Sequence, residues 1–185
     1  MVRILGPLLM SLCLSSCMVQ QTVQQDFSQD YSQWELQQIR RAELKSWILS
    51  GKVSVTQLHA KKNPLTFRIK WEHREDTDSL LLSDSFGLQS VKIVQSAVQA
   101  IAYSSKNEIL MSAPTVLALS TKILGVAIDL DRLKAGLMGI DFSQTKYESF
   151  NLLQDGLLMA KKIIHTQSAI SITMIITLWE LPKQD

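Results

Sequence analysis

The chain has little of several things that would settle its class at once. Two cysteines occur in 185 residues, Cys13 and Cys17, both near the start, so no disulfide staples the body of the protein. Seven glycines and four prolines exclude a collagen-like or linker-dominated chain. No stretch reaches the roughly 20 apolar residues that a spanning helix needs. Charge of one sign is also missing: 19 Lys+Arg against 17 Asp+Glu leave +2, too near neutral to suggest a nucleic-acid partner. What remains is 46% hydrophobic and 19% charged, the balance of one globular domain with something attached at its front, and without an internal repeat.

Chemistry is scarce too. His59, His73 and His165 have no metal-ligand spacing, and no nucleophile elbow, phosphate-cradling glycine loop or cysteine pair occurs. The densest polar run, Glu72-His73-Arg74-Glu75-Asp76, reads as a solvated hairpin loop. Catalytic residues, metal and cofactor are therefore all expected to be none; an enzyme would need a site assembled only in three dimensions.

The front end carries information. Met1-Val2-Arg3 gives one positive charge and Ile4 to Leu14 is mostly apolar, which is a signal-peptide pattern. Leu14-Ser15-Ser16-Cys17 resembles a bacterial lipobox, whose cysteine is acylated and becomes the mature N-terminus. Residues 1–16 are thus expected as a signal peptide and Cys17 as the lipidation site, palmitate included. Each buried methylene adds about 0.8 kcal/mol of membrane attachment. Residue 18 is Met, not the Asp that in similar enterobacterial lipoproteins signals inner-membrane retention, so an outer-membrane address facing the periplasm follows. Residues 17–31, rich in Gln, Ser and Asp, read as a tether, and 32–185 as the folded domain. Ser32 and Glu35 have capping-box spacing for a helix to about Lys45 with Trp34, Ile39 and Ala42 as its apolar side.

From Trp47 the hydrophobic period becomes two. Leu65, Phe67, Ile69 and Trp71 alternate with Thr66, Arg68 and Lys70, which marks a half-buried antiparallel strand. Further strands are expected at 79–83, 87–95, 98–104 and 108–111, and then at 147–153, 157–165 and 169–180, the Asp155-Gly156 hairpin signal among them. Between the two sets, Pro114 and Gly125 bracket one helix, and Asp129 and Gly139 another. About nine strands and three helices suggest a mainly β, α+β fold. An incomplete antiparallel barrel or curved sheet would enclose an apolar cavity, with the helices as a lid. The inward set Phe67, Ile69, Trp71, Leu82, Val91, Ile93 and Ile101 would line that cavity or form a dry core; periodicity alone leaves both open. In Ser83-Asp84-Ser85-Phe86-Gly87, turn residues bracket one large aromatic, which either folds back on the core or forms an apolar tip.

The lipobox, the tether, Gly51-Lys52-Val53-Ser54-Val55, Arg68-Ile69-Lys70-Trp71, Leu80 to Gly87 and the two-helix segment ending Leu137-Met138-Gly139 follow one another in an order similar to the outer-membrane lipoprotein receptor family LolB. The resemblance covers roughly Trp34 to Gly139. It implies a lipoprotein-localisation function in protein transport, chaperone-like. The receptor would accept acylated lipoprotein cargo from a periplasmic LolA-type carrier and place it in outer-membrane lipid, acting as a monomer. By the same resemblance Phe86, before Gly87, matches the apolar residue of a protruding loop that helps release cargo into the bilayer. Two departures stand out: Gly136 replaces the family's usual Trp, and the segment after Gly156 is short, implying a more open barrel. A structural lipoprotein that binds a protein partner and no acyl chain is the competing reading.

Overall fold

A computed structural model describes residues 27–60, 63–84 and 86–181. Cys17, the signal-peptide segment and Ser85 lie outside the described residues. Those described form nine strands and four helices in the order α1 (Phe27–Leu36), α2 (Gln38–Ala42), β1 (Ser46–Gln57), β2 (Leu65–Arg74), β3 (Thr77–Ser83), β4 (Ser90–Gln95), β5 (Ala100–Tyr103), β6 (Ile109–Ala113), α3 (Val116–Leu124), α4 (Leu130–Leu137), β7 (Thr145–Leu152), β8 (Leu158–Gln167) and β9 (Ile170–Glu180). All pairings are antiparallel in one sheet of order β6-β5-β4-β3-β2-β1-β9-β8-β7, which is not closed. This is the incomplete barrel that the alternating pattern predicts.

Strands alternate because one face is buried. Val53 and Val55 of β1, Ile69 and Trp71 of β2, Leu80 of β3, Ile93 of β4 and Ala102 of β5 all point to the concave side. Between β1 and β9 the register shifts at Ser50/Gly51, and the Thr177 hydroxyl donates to the Ser50 carbonyl at 3.1 Å. The extra residue reverses the phase of β9, so that Ile176 and Trp179, three apart, both turn inward. Trp179 then meets Trp47 at 5.6 Å between ring centroids, and Trp47 meets Trp71 at 5.2 Å. Gly51 is obligatory at the bulge because any Cβ there would run into the Ile175 carbonyl.

The helices bridge the gap between the two ends of the sheet. Pro114, expected in the first turn of α3, precedes it; Thr115 is the cap, its hydroxyl accepting from Ala118 N–H at 3.2 Å, and Gly125 ends the helix at φ +69°. Asp129 caps α4 as its sequence position predicts, accepting from Arg132 N–H at 3.1 Å. Gly136 packs where a side chain cannot go: a Cβ would lie 2.9 Å from His165 Nδ1 and closer still to Thr145 Oγ1, and the Tyr147 hydroxyl donates to the Gly136 carbonyl. The Trp that the resemblance leads one to expect at position 136 would not fit this seam.

The N-terminal helix corrects the sequence expectation twice. It starts at Phe27, inside the segment read as tether, so Ser32 lies within the helix and is not its cap. Trp34 is buried as expected, but Ile39 is 72% exposed and Ala42 is exposed, while Arg41 is buried. The reason is geometric: seven residues on from Trp34 is nearly two turns, the same helix side, whereas five residues on is far around it. Arg41 stacks its guanidinium 3.3 Å from the Trp34 ring centroid. It donates to the Met138 carbonyl at 2.8 Å and the Trp34 carbonyl at 2.6 Å.

Gly136→Ala is expected to lower the unfolding free energy by about 1–3 kcal/mol through overpacking of this seam, read as a lower urea midpoint at unchanged m. An unchanged midpoint in an equilibrium unfolding series would show that the seam can open without cost.

Candidate functional site: an apolar cavity and its rim

The site is built from the concave faces of β2, β3 and β4. Phe67, Leu82, Val91 and Ile93 line a cavity of about 140 Å³ with Ser120, Ile123 and Leu124 of α3 opposite, and Asp84, Gln89 and Ser90 at its edge. Four of the seven residues expected to line a cavity are thus brought together. Ile69 and Trp71 share their face but lie deeper, packed in the core at 5% and 0% exposure. Ile101 is on the opposite face: it pairs with Val94 and Ser112, whereas its neighbours Ala100 and Ala102 point inward. The expectation for Ile101 fails because Ala, not the larger Ile, faces the crowded interior of this short strand.

The cavity edge carries the loop between β3 and β4. Asp84 organises it: its amide donates to the Gln89 carbonyl at 3.1 Å, its carbonyl accepts from Gly87 N–H at 3.1 Å, and its carboxylate accepts from Leu88 N–H at 2.8 Å. Gly87 takes φ +74°, a left-handed conformation natural to glycine. The consequence is that Phe86 stands 85% exposed and Leu88 83% exposed. Phe86 does not fold back on the core. Leu88 was not singled out in the sequence, although an apolar residue directly after a turn glycine was the available signal.

Below the cavity a buried polar cluster ties α4 to the sheet. Asp78 accepts from Trp71 Nε1 at 2.7 Å, lies 2.9 Å from His73 Nδ1 and accepts from Lys134 Nζ at 2.8 Å. This corrects the reading of Glu72 to Asp76 as a solvated loop: β2 runs to Arg74, His73 is buried, and only Glu75 and Asp76 form the turn. The α4 helix is also held at its start, where the Gln167 side chain accepts from Asp129 N–H at 2.9 Å and donates to the Asp129 carbonyl at 2.7 Å. By contrast α3 is tied by Val116 N–H to Gln95 and by Ile128 N–H to the Ser120 hydroxyl. Among the described residues the rest of its packing is apolar, through Val116, Leu119 and Leu124.

Burial shifts the titrating groups of the closed end. Desolvation brings the Arg41 guanidinium down to about 10, so it stays protonated at neutral pH, and pushes the Tyr147 phenol well above its usual range. Burial also lowers the His165 imidazole, which meets Thr145 Oγ1 at 2.7 Å through Nδ1. No cluster of metal-ligating side chains and no helix long and apolar enough to cross a membrane occurs among the described residues.

The fold is an open antiparallel half-barrel, apolar inside and roofed by helices, with an exposed apolar loop beside its cavity. The chain belongs to the family described as outer membrane lipoprotein LolB, whose sequence profile matches residues 45–169. That family comprises outer-membrane lipoprotein receptors that act in lipoprotein localisation with LolA and lipoprotein cargo. No individual curated protein matches the chain.

Two outcomes are expected. Asp78→Ala leaves a half-buried ammonium and two ring N–H groups without their acceptor, which should cost about 3–5 kcal/mol in chemical denaturation; a loss below 1 kcal/mol would mean the cluster is solvated. The lowered His165 pKa means that the unfolded chain takes up a proton more readily, at about 6.5. Its stability contribution is therefore full above that pH and lost as pH falls through the acid side. Unfolding free energy should drop between pH 7.5 and 5.5 more steeply in the wild type than in His165→Gln.

Proposed function

We propose that the chain is a receptor anchored by acylation at Cys17, facing the periplasm, that takes acylated lipoproteins from a LolA-type carrier and releases them into outer-membrane lipid. The observation that carries this reading is the placement of an exposed Phe86–Leu88 tip directly beside an apolar cavity. An acyl chain of about 15 methylenes costs about 12 kcal/mol to expose to water, so cargo needs shelter at every stage of its passage. The same apolar contacts that shelter a chain impose no direction on it, and with no nucleotide site in the sequence the transfer runs downhill. A gradient of about 1.4 kcal/mol already gives a tenfold bias.

The cavity is small. Its volume, about 140 Å³, is close to that of an engineered cavity of about 150 Å³ that takes benzene, and below the roughly 300–1,000 Å³ of ligand pockets. The cavity therefore has to widen to hold a whole chain. The side that can yield is α3, tied to the sheet by Val116 N–H to Gln95 and to the following loop by Ser120, whereas α4 is fixed at its start by Gln167 and along its length by Asp78 at Lys134. Phe86 then acts at the last step, when its ring enters the bilayer beside the emerging chain.

The test uses the lipid-anchored full chain on vesicles, mixed with a carrier–lipoprotein complex, with cargo followed into the vesicle fraction. Wild type should take up cargo. Phe86→Glu should fold normally and lose delivery by about one to two decades, from the roughly 1.5–3 kcal/mol a buried Phe is worth. Cargo that stays on a carrier from the same cell, with the chain folded, would overturn the receptor reading in favour of a structural lipoprotein.

A further inference from the structure

The convex face of the sheet carries charge of one sign where a near-neutral protein has no need of it. Lys52 and Arg68 are directly opposite each other on β1 and β2. One step along the same face, Lys70 of β2 and Lys92 of β4 flank Leu81 of β3, and Tyr103 of β5 completes the row. All four cations are exposed. None forms an ion pair with a described residue. The carboxylate next along this face, Glu72, is engaged by Arg74. Elsewhere on the sheet a cation does find its counter-charge: Lys162 pairs with Glu148 at 2.6 Å.

Directly opposed like charges have their Cβ atoms about 5 Å apart and destabilise a sheet. Folding gains nothing from Lys52 facing Arg68, so the arrangement points to something outside the chain. Its position narrows the choice. Arg68 pairs with Ser83, the last residue of β3, so the patch adjoins the loop bearing Phe86 and Leu88. Within it sit Leu81, 41% exposed, and the partly buried Tyr103, one apolar and one amphipathic side chain among cations. Cations beside apolar tips, with an aromatic at the margin, match the headgroup layer of a bilayer more closely than the surface of an acidic protein.

We infer that the convex face of β1 to β5 is an electrostatic docking surface for anionic phospholipid headgroups. Lys52, Arg68, Lys70 and Lys92 make the contact, and the molecule lies on its side with the Phe86 loop at the membrane edge. The inference rests on the reading that Phe86 works at a membrane; it is independent of the acyl cavity. It gives the lipid anchor a geometric partner. An acylated N-terminus alone leaves the body free to turn in any direction, whereas a second, weak contact fixes which end of the cavity meets the lipid.

The test is lysine footprinting by mild acetylation and mass spectrometry on the lipid-anchored full chain. Vesicles of phosphatidylethanolamine alone are compared with vesicles that also contain phosphatidylglycerol. Lys52, Lys70 and Lys92 should react about fivefold more slowly on the anionic vesicles, from the contribution of about one cation near a charged surface. Lys45, exposed at the far end of β1, should not change, and 0.5 M NaCl should abolish the difference. A Lys70→Glu, Lys92→Glu variant should lose the composition dependence at Lys52. Equal reactivity on both vesicles overturns the inference, as does protection that appears only when an acidic carrier protein is added. Quenching of a Phe86→Trp variant by brominated lipid reports the loop separately. Quenching without lysine protection removes the docking surface and keeps the loop; protection without quenching does the reverse; neither removes both.

Discussion

An antiparallel sheet that curls without closing has to cover its apolar concave face with something other than itself. That constraint organises the rest of this molecule. The strands from β6 to β9 supply a trough lined by Val, Ile, Leu and Trp, and the two edges, β6 and β7, cannot meet. The gap is spanned by α3 and α4, while the N-terminal α1–α2 segment seals the other side through Trp34 against Tyr147 and Phe150. The trough is covered by helices in place of more sheet. Helices held by side-chain contacts can shift without breaking a backbone ladder.

The two covering helices are not equivalent. Polar bonds at Asp129 and Lys134, together with the tight glycine seam at Gly136 and Gly139, fix α4; at Gly139 a Cβ would lie 2.8 Å from the Trp34 ring and 2.9 Å from Arg41. Its place in the fold is that of a wall. The α3 helix meets the trough through Val116, Leu119 and Leu124, has Ile123 at the cavity and also exposes Leu117. The helix ends at Gly125 in the left-handed conformation, its N–H bonded to the Thr121 carbonyl.

Much of the architecture was legible because the trough imposes a period of two on every strand. The strands expected from alternation at 65–71, 79–83 and 147–153 appear as β2, β3 and β7 with ends moved by a few residues. Glycine and Asx turns were equally readable: Asp155-Gly156 and Asn107 both sit where the chain reverses, with Gly156 at φ +78° and Asn107 at +61°. What sequence could not show was polar burial. His73 read as part of a solvated loop because charge normally stays in water, whereas its partner Asp78 reaches it across the β2–β3 hairpin; Arg41 and Asp78 are buried with the help of Met138 and Lys134, which are distant in sequence. Ile101 was misplaced for the converse reason: in a strand of Ala-Ile-Ala-Tyr the size of the residue does not tell which side is crowded. For the site, Phe67, Leu82, Val91 and Ile93 followed from strand phase, while the α3 residues facing them required the chain to be folded.

The central claim is that the trough under α3 takes an acyl chain. The most direct test is methyl NMR of the chain with a triacylated lipopeptide, reading contacts between the lipid methylenes and individual side chains. The account predicts contacts to Leu82, Val91, Ile93 and Ile123, with displacement of α3, and none to Ile101 on the opposite face. Binding of the lipopeptide with no contact to those four residues, or with contacts confined to the convex face, would contradict it.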